Sequence, residues 1–331
     1  MNYLIVTLLK IIVVFAALLL SVAYLTWLER KVLGHMQSRL GPHRVGINGL
    51  LQPIADGLKL FFKEDVIVTA ADKVVYHLAP FIILSTALLT VAVIPFGDRI
   101  NLFGYEIPLR IADINIGLLY IFALSSLGVY GIVLAGWSSN NKYSLMGGLR
   151  SAAQMISYEL PLGLATIGVL MQSESLSLSK IVEAQANQGW FFLPQFIGFL
   201  IFFICAVAEC NRTPFDLPEA EGELVAGFHV EYSSMKFALF FMAEYASVIL
   251  MSALIVTLFF GGWLGPSFIK SPAWMGPIWF GIKVFIFVFV FIWLRATFPR
   301  FRYDQLMKFG WKVLFPLSIL NIAITAVVMI I

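Results

Sequence analysis

Eight apolar runs dominate the chain, at about residues 3–28, 75–96, 115–136, 151–172, 191–210, 236–262, 277–296 and 311–331. Each is near or above the ~20 residues a helix needs to cross a bilayer, where backbone N–H and C=O groups must be satisfied within the segment itself. The expected fold is an all-α polytopic membrane protein, one membrane domain over residues 1–331, with about eight transmembrane helices. An interfacial amphipathic helix is expected between the first and second spans, and an acidic cytoplasmic loop between the fifth and sixth. A hydrophobic content of 60%, only 12% charged residues and a mean hydropathy of +0.90 exclude a soluble domain. The first run reads as a retained anchor, because Lys10 lies inside it and no small-residue cleavage site ends it.

Lys and Arg set the orientation. The connections 29–74, 137–150, 211–236 and 295–312 hold sixteen of the 22 basic residues, whereas 97–114, 173–190 and 263–276 hold four. Basic connections favour the cytoplasm, which places both termini on the opposite, periplasmic side. No internal repeat supports the inverted-repeat plan of many secondary transporters.

The stretch Glu209 to Glu231 sets Glu209, Asp216, Glu219, Glu221, Glu223 and Glu231 beside two spans, with Arg212 as the nearby cation. A helix starting near Pro218 puts Asp216, Glu219 and Glu223 on one face and turns Glu221 away. Crowded, partly desolvated carboxylates raise one another's proton affinity, which suits a proton relay. A solvated acidic loop is the competing reading.

Between the first two spans, Leu50, Leu51, Ile54, Leu58, Phe61 and Phe62 recur at helical spacing, with Gln52, Asp56, Lys59 and Lys63 opposite. Such a helix lies in the headgroup plane. With Glu29, Arg30, Arg39 and Arg44 nearby it either roofs a lateral opening from the lipid or serves as a plain surface anchor.

Within the spans, Glu159, Glu244 and Lys283 each sit about two turns from an end and need partners or water. Tyr158, Tyr245 and Ser247 are candidate hydroxyl bridges between acids. Lys283 enters from the other side and reads equally as a link onward or as a counter-ion. The two cysteines, Cys205 and Cys210, supply no cluster ligand set. Of four histidines, His35, His43 and His229 fall in connections and His77 at a span entrance, so no haem pair is in place. Without a Gly-rich nucleotide loop either, electron chemistry must come from outside this chain.

Five stretches resemble one family: ERKVLGHMQSRLGPHRVG at 29–46, GLLQPIADGLKLFFKE at 49–64, RSAAQMISYELP at 150–161, NRTPFDLPEAEGELVAGF at 211–228 and WLRATFPRFRYDQLMKFGWK at 293–312. The chain is similar to the H-type membrane subunits of respiratory complex I, the proton-translocating NADH:quinone oxidoreductase, a family that includes mitochondrial NADH dehydrogenase subunit 1. One departure is His43, where the family usually has Asn.

The resemblance implies a subunit joining the electron-transfer arm to the proton-pumping arm, with a quinone tunnel entered sideways from the bilayer. It implies quinone as substrate, no cofactor or metal bound by this chain, and FMN and iron–sulfur clusters in partner subunits. The implied partners are quinone-facing peripheral-arm subunits, neighbouring small membrane subunits and lipids, in a bacterial inner membrane and without nucleic acid. Matching the motifs residue by residue makes Glu29, Arg30, Arg39, Asp56, Lys59, Phe228 and Arg295 tunnel candidates. Glu159, Glu209, Asp216, Glu219, Glu221, Glu223, Glu231, Glu244 and Lys283 become the charged path. Arg295 reads equally as a positive-inside anchor. The corresponding subunit of a related membrane-bound hydrogenase or other donor-linked complex, an independent proton or cation channel, and a passive scaffold are the alternatives.

Overall fold

The computed structural model describes all residues except 1–2, 103–104, 218–223, 267–271 and 331. Its elements are α1 (Tyr3–Met36), α2 (Gln52–Phe62), α3 (Lys73–Val91), β1 (Arg99–Leu102), β2 (Tyr105–Pro108), α4 (Gly117–Ser138), α5 (Lys142–Ser173), α6 (Leu178–Gln188), α7 (Phe196–Glu209), α8 (Ser234–Phe259), α9 (Gly276–Thr297) and α10 (Tyr303–Ile330). Among the described residues, α1, α3, α4, α5, α8, α9 and α10 are long and apolar enough to span a membrane.

The fifth expected span differs. Of the run 191–210 only the 14 residues of α7 are helical, about 21 Å of rise and short of a ~30 Å hydrocarbon core. The residues before it form turns around Pro194, with Gln195 N–H donating to Phe191 O at 2.9 Å and Phe192 N–H to Phe259 O at 2.9 Å. The chain thus uses the start of this run to tie α7 to the end of α8. The connection 97–114 carries a short antiparallel β1–β2 hairpin, with Ile100 opposite Ile107.

Local signals account for several helix ends. Asp72 caps α3 by accepting from Val74 N–H at 3.2 Å, and Asn141 caps α5 by accepting from Tyr143 N–H at 2.9 Å. The turn between α4 and α5 is short, which makes them antiparallel neighbours. Gly136 faces Ser144 O so closely that a Cβ there would lie 2.6 Å away, the small-residue contact by which membrane helices approach. Gly147 does the same near the end of the acidic stretch: a Cβ there would meet Gly227 Cα at 2.7 Å.

The centre of the bundle is α8, two thirds of whose apolar window is buried within this one chain, against about a tenth for α1. Around it pack α1, α3, α7 and α9. The amphipathic α2 lies across the bundle with its apolar side outward, and Ile54, Leu58, Phe61 and Phe62 are all exposed, as expected for a helix resting in lipid.

Candidate functional site

Three helices and one connection bring four charges to one buried place. Glu29 lies near the end of α1, Glu244 in the first half of α8 and Arg295 in the last turn of α9, while Arg212 follows α7 in the connection. Arg212 Nη1 donates to both carboxylate oxygens of Glu29, at 3.3 and 3.4 Å, and its Nε lies 2.9 Å from Glu244 Oε1. Arg295 also donates to Glu29. The Arg212 guanidinium sits over the Tyr245 ring, 4.4 Å from its centroid. Two cations thus balance two anions, which is what a buried ionic group requires, since desolvation costs several kcal/mol per ion. Burial opposes the charge on Arg212, but Glu244 and Glu29 more than restore it and hold its proton more firmly than usual. A small cavity of about 10 Å³, room for about one water, lies among Leu25, Glu29, Arg212, Tyr245, Phe291 and Arg295.

Across the Arg212–Glu244 contact from this cavity, labelled the outer one, lies a second, labelled the inner one, of about 110 Å³, room for several waters. Apolar side chains of α3, α4 and α8 make most of its wall. Ser125, Glu209, Asn211, His229, Glu244 and Ser247, with two threonines of α3, supply the polar part. Glu209 is 5% exposed, takes the Ser125 hydroxyl on one oxygen, and has no partner for Oε2 among the described residues. The next residue along α4, Ser126, donates to Glu159 of α5. Two adjacent serines on one helix therefore hold two carboxylates from two others. Because Glu244 lines the inner cavity while Arg212 lines the outer one, their ion pair stands between the two spaces.

The connection carrying Arg212 is pinned by Gln154 of α5, whose amide donates to Ala208 O at 2.9 Å and Phe215 O at 2.7 Å. Further along, Asp216 accepts from Arg300 at 2.7 Å. Burial raises the Asp216 carboxyl above its ordinary range, with Arg300, Arg295 and Arg212 pulling the other way. His229 is buried among the rings of Phe228, Phe237 and Phe241. Burial lowers its imidazole to about 4, so it is neutral at ordinary pH.

The expected tunnel residues divide. Glu29 and Arg295 meet in the buried cluster, and Arg30 pairs with Asp56 at 2.6 Å, with Gln52 donating to the other Asp56 oxygen at 2.9 Å. That pair fastens α2 to the end of α1. Arg39 and Lys59 are exposed, and Phe228 lines the inner cavity instead of the outer one. At the far end of α2, Ser234 donates to Leu60 O at 3.0 Å and Lys236 pairs with Asp65 at 2.8 Å, joining α2 to the start of α8.

The expected path residues divide as well. Glu209 and Glu244 line the inner cavity, Glu159 is held next to it by Ser126, the neighbour of the serine that holds Glu209, and Asp216 lies near Arg212 and Arg295. Glu231 stands apart, taking the amide of Asn141 at 2.5 Å at the start of α5. Glu219, Glu221 and Glu223, and the helix expected to begin near Pro218, lie outside the described residues. Lys283 does not join the acids. Its ammonium donates to the carbonyls of Phe260, Gly262 and Leu264 at 2.6, 3.1 and 2.6 Å, at the opposite end of the bundle.

Among the described residues none of the three expected hydroxyl bridges between acids forms: Tyr245 packs under the Arg212 guanidinium, and a carbonyl takes the proton of each of the other two. Tyr158 donates to Leu306 O at 2.9 Å and Ser247 to Glu244 O at 2.7 Å. The residues not anticipated for the site are Ser125, Ser126, Gln154 and Arg300. A serine pair inside the apolar run 115–136 was the available signal for the first two, but serine hydroxyls in spans usually bond to their own helix backbone.

Residues 9–326 match the NADH dehydrogenase family. The chain is 59% identical to the NADH-quinone oxidoreductase H subunit 2 of Geobacter metallireducens, covering 99% of this chain and 96% of that relative. It is 59% identical to the H subunit 1 of the same enzyme in Geobacter sulfurreducens, over 96% of this chain and 93% of the relative. With the H subunit of Protochlamydia amoebophila the identity is 55%, over 92% of each.

Proposed function

The chain belongs to the NADH dehydrogenase family as a membrane subunit of NADH-quinone oxidoreductase, and from that membership we propose that it carries the quinone tunnel and couples quinone reduction to proton translocation. The observation that carries this reading is the Arg212 to Glu244 ion pair, which closes an outer cavity on one side and an inner carboxylate cavity on the other.

In this reading quinone approaches from the bilayer beneath α2, whose outward apolar face and fastenings to α1 and α8 make it the roof of the opening. Glu29, Arg30, Asp56 and Arg295 line the approach, and Arg39 and Lys59 act at its exposed mouth. Phe228 belongs to the wall of the inner space. The electrons for the headgroup would come from an iron–sulfur cluster of a peripheral-arm partner, in a complex that would also hold FMN. Two electrons arriving at the quinone demand two protons, and this adds negative charge beside Arg212 before they arrive. An anion there competes with Glu244 for the guanidinium. Glu244, left without its partner, then takes a proton from the inner cavity, and coupled carboxylates spread that change onward. Glu209 and Glu159, with Asp216, Glu219, Glu221, Glu223 and Glu231 on the connection, form the charged path. The complex sits in a bacterial inner membrane with both termini of this chain periplasmic, against neighbouring small membrane subunits and lipid.

The test is Glu209→Gln in the assembled complex, reconstituted in sealed vesicles. The side chain keeps its size and its bond to Ser125 but loses its proton. Quinone reduction and vesicle acidification should fall together while NADH oxidation by ferricyanide persists. Normal acidification at a normal rate of quinone reduction would refute the path through Glu209.

A further inference from the structure

Lys283 is the buried cation that the site above leaves unused. It lies near the start of α9, is 9% exposed, and places its ammonium among three carbonyls just past the end of α8. Helix ends leave four carbonyls without partners, and aligned peptide dipoles make that end negative. In hydrocarbon no water can take their place. The turn that brings these carbonyls together depends on Gly261 and Gly262, at φ of 71° and 50°, where a side chain would be strained.

The same turn is gripped from a second direction. Gln185 of α6 accepts from Gly261 N–H at 2.8 Å and donates to Thr257 O at 2.9 Å. The Lys283 ammonium also lies 4.8 Å from the centre of the Trp190 ring. All three ammonium protons have carbonyl acceptors, so the group is fully used as a donor.

We propose that Lys283 is a positioning residue, which locks the far end of α8 and thereby sets the height at which Glu244 and Tyr245 meet Arg212. On α9, Lys283 and Arg295 are twelve residues apart, about 18 Å of helix, so α9 holds a cation at each end. Arg295 reaches the Glu29 cluster, and Lys283 holds the end of the very helix that brings Glu244 to that cluster. A helix fixed at its end against α9 cannot slide along it, and a slide of about 1.5 Å, one residue of rise, would be enough to separate Arg212 from Glu244. This inference rests on the cluster's role in quinone reduction proposed above.

The experiment compares Lys283→Met and Lys283→Arg in the assembled complex in lipid nanodiscs and sealed vesicles. Hydrogen exchange at Gly261, Gly262 and Leu264, whose amides are bonded in this turn, reports the lock. The quinone KM, kcat and vesicle acidification report its consequence at the other end. Lys283→Met should speed exchange about tenfold, corresponding to about 1.4 kcal/mol, and should alter quinone KM and kcat with ferricyanide reduction unchanged. Lys283→Arg keeps a permanent charge and donors but cannot release a proton, and should restore slow exchange and coupled turnover together. An Arg variant that exchanges quickly and turns over poorly supports the lock equally, because activity again follows it.

Three results overturn the proposal. One is wild-type exchange in Lys283→Met. Another is fast exchange with unchanged quinone kinetics, which leaves the quinone reading itself standing. The third is an Arg variant with slow exchange but Met-like loss of acidification, which would mark Lys283 as a group that must release a proton.

Discussion

Arg212 Nε lies 2.9 Å from Glu244 Oε1, and that single contact joins a residue of the connection after α7 to the most buried helix of the bundle. Both side chains are largely removed from solvent, at 7% and 18% exposure. Their pairing is what allows either charge to be there, because an uncompensated buried charge typically costs ~3–5 kcal/mol.

The first prediction follows from that cost. Arg212→Met leaves Glu29 with Arg295 alone and strands Glu244, and should abolish quinone reduction and weaken assembly. Arg212→Met combined with Glu244→Gln removes one stranded charge, so the double variant should assemble better than Arg212→Met alone. Complex recovery from native gels measures this; strictly additive damage would show that the two residues do not act as a pair.

Arg295 and Arg39 provide a contrast between a cavity wall and an exposed loop. Arg295→Ala should lower quinone reductase activity at least about tenfold, the effect of losing about 1.4 kcal/mol, with ferricyanide reduction intact. Arg39→Ala, at an exposed position, should have the smaller effect. Parallel loss of both activities in an intact Arg295 variant would remove its quinone role.

Bulk on the outward face of α2 tests the roof. Ile54→Trp or Leu58→Trp should slow long-tailed quinones more than short-tailed ones, because only a long tail still occupies the opening while the headgroup is bound. Rates measured with both quinones in the same membranes decide it, and equal inhibition would mean α2 is a surface anchor alone.

His229 yields a pH prediction with a definite sign. Its folded value of about 4 lies below the ordinary 6.5, so the unfolded chain binds the proton more readily. Its contribution to stability is complete above about 6.5 and is lost as pH falls from there towards 4, amounting to at most ~3 kcal/mol. His229→Phe, placed among Phe228, Phe237 and Phe241, should remove part of the loss of thermal stability between pH 6.5 and 4.5. Melting midpoints of the two complexes across that range measure it, and parallel curves would show that His229 does not contribute.

Much of the site was legible in the residues alone. Glu209 and Glu244 stand out because charge beside hydrocarbon is costly and has to be used, whereas Glu29 and Arg295 became tunnel candidates only through the family resemblance. The amphipathic spacing of Leu50 to Phe62 announced α2 in the same way. Ser125 and Ser126 were not legible, since a serine in a span shows no sign of whether its hydroxyl turns to its own backbone or to a neighbouring helix. Lys283 was ambiguous for a related reason: a carbonyl partner has no signature in sequence, as every residue carries one.

Hydropathy and the distribution of basic residues by themselves determined that the chain crosses a membrane repeatedly, and roughly where, because the bilayer imposes a length and a polarity on each segment. The shortness of α7 was decided only by the tertiary structure, where Phe192 bonds to the end of α8 and takes up the start of an apolar run long enough to span. So was the pairing of charges. Glu29 and Arg212 are 183 positions apart, and Glu29 and Arg295 are 266 apart. Sequence supplies the cost of burying each charge alone, and only the packing of α1, α8 and α9 against the connection after α7 decides which opposite charge relieves it.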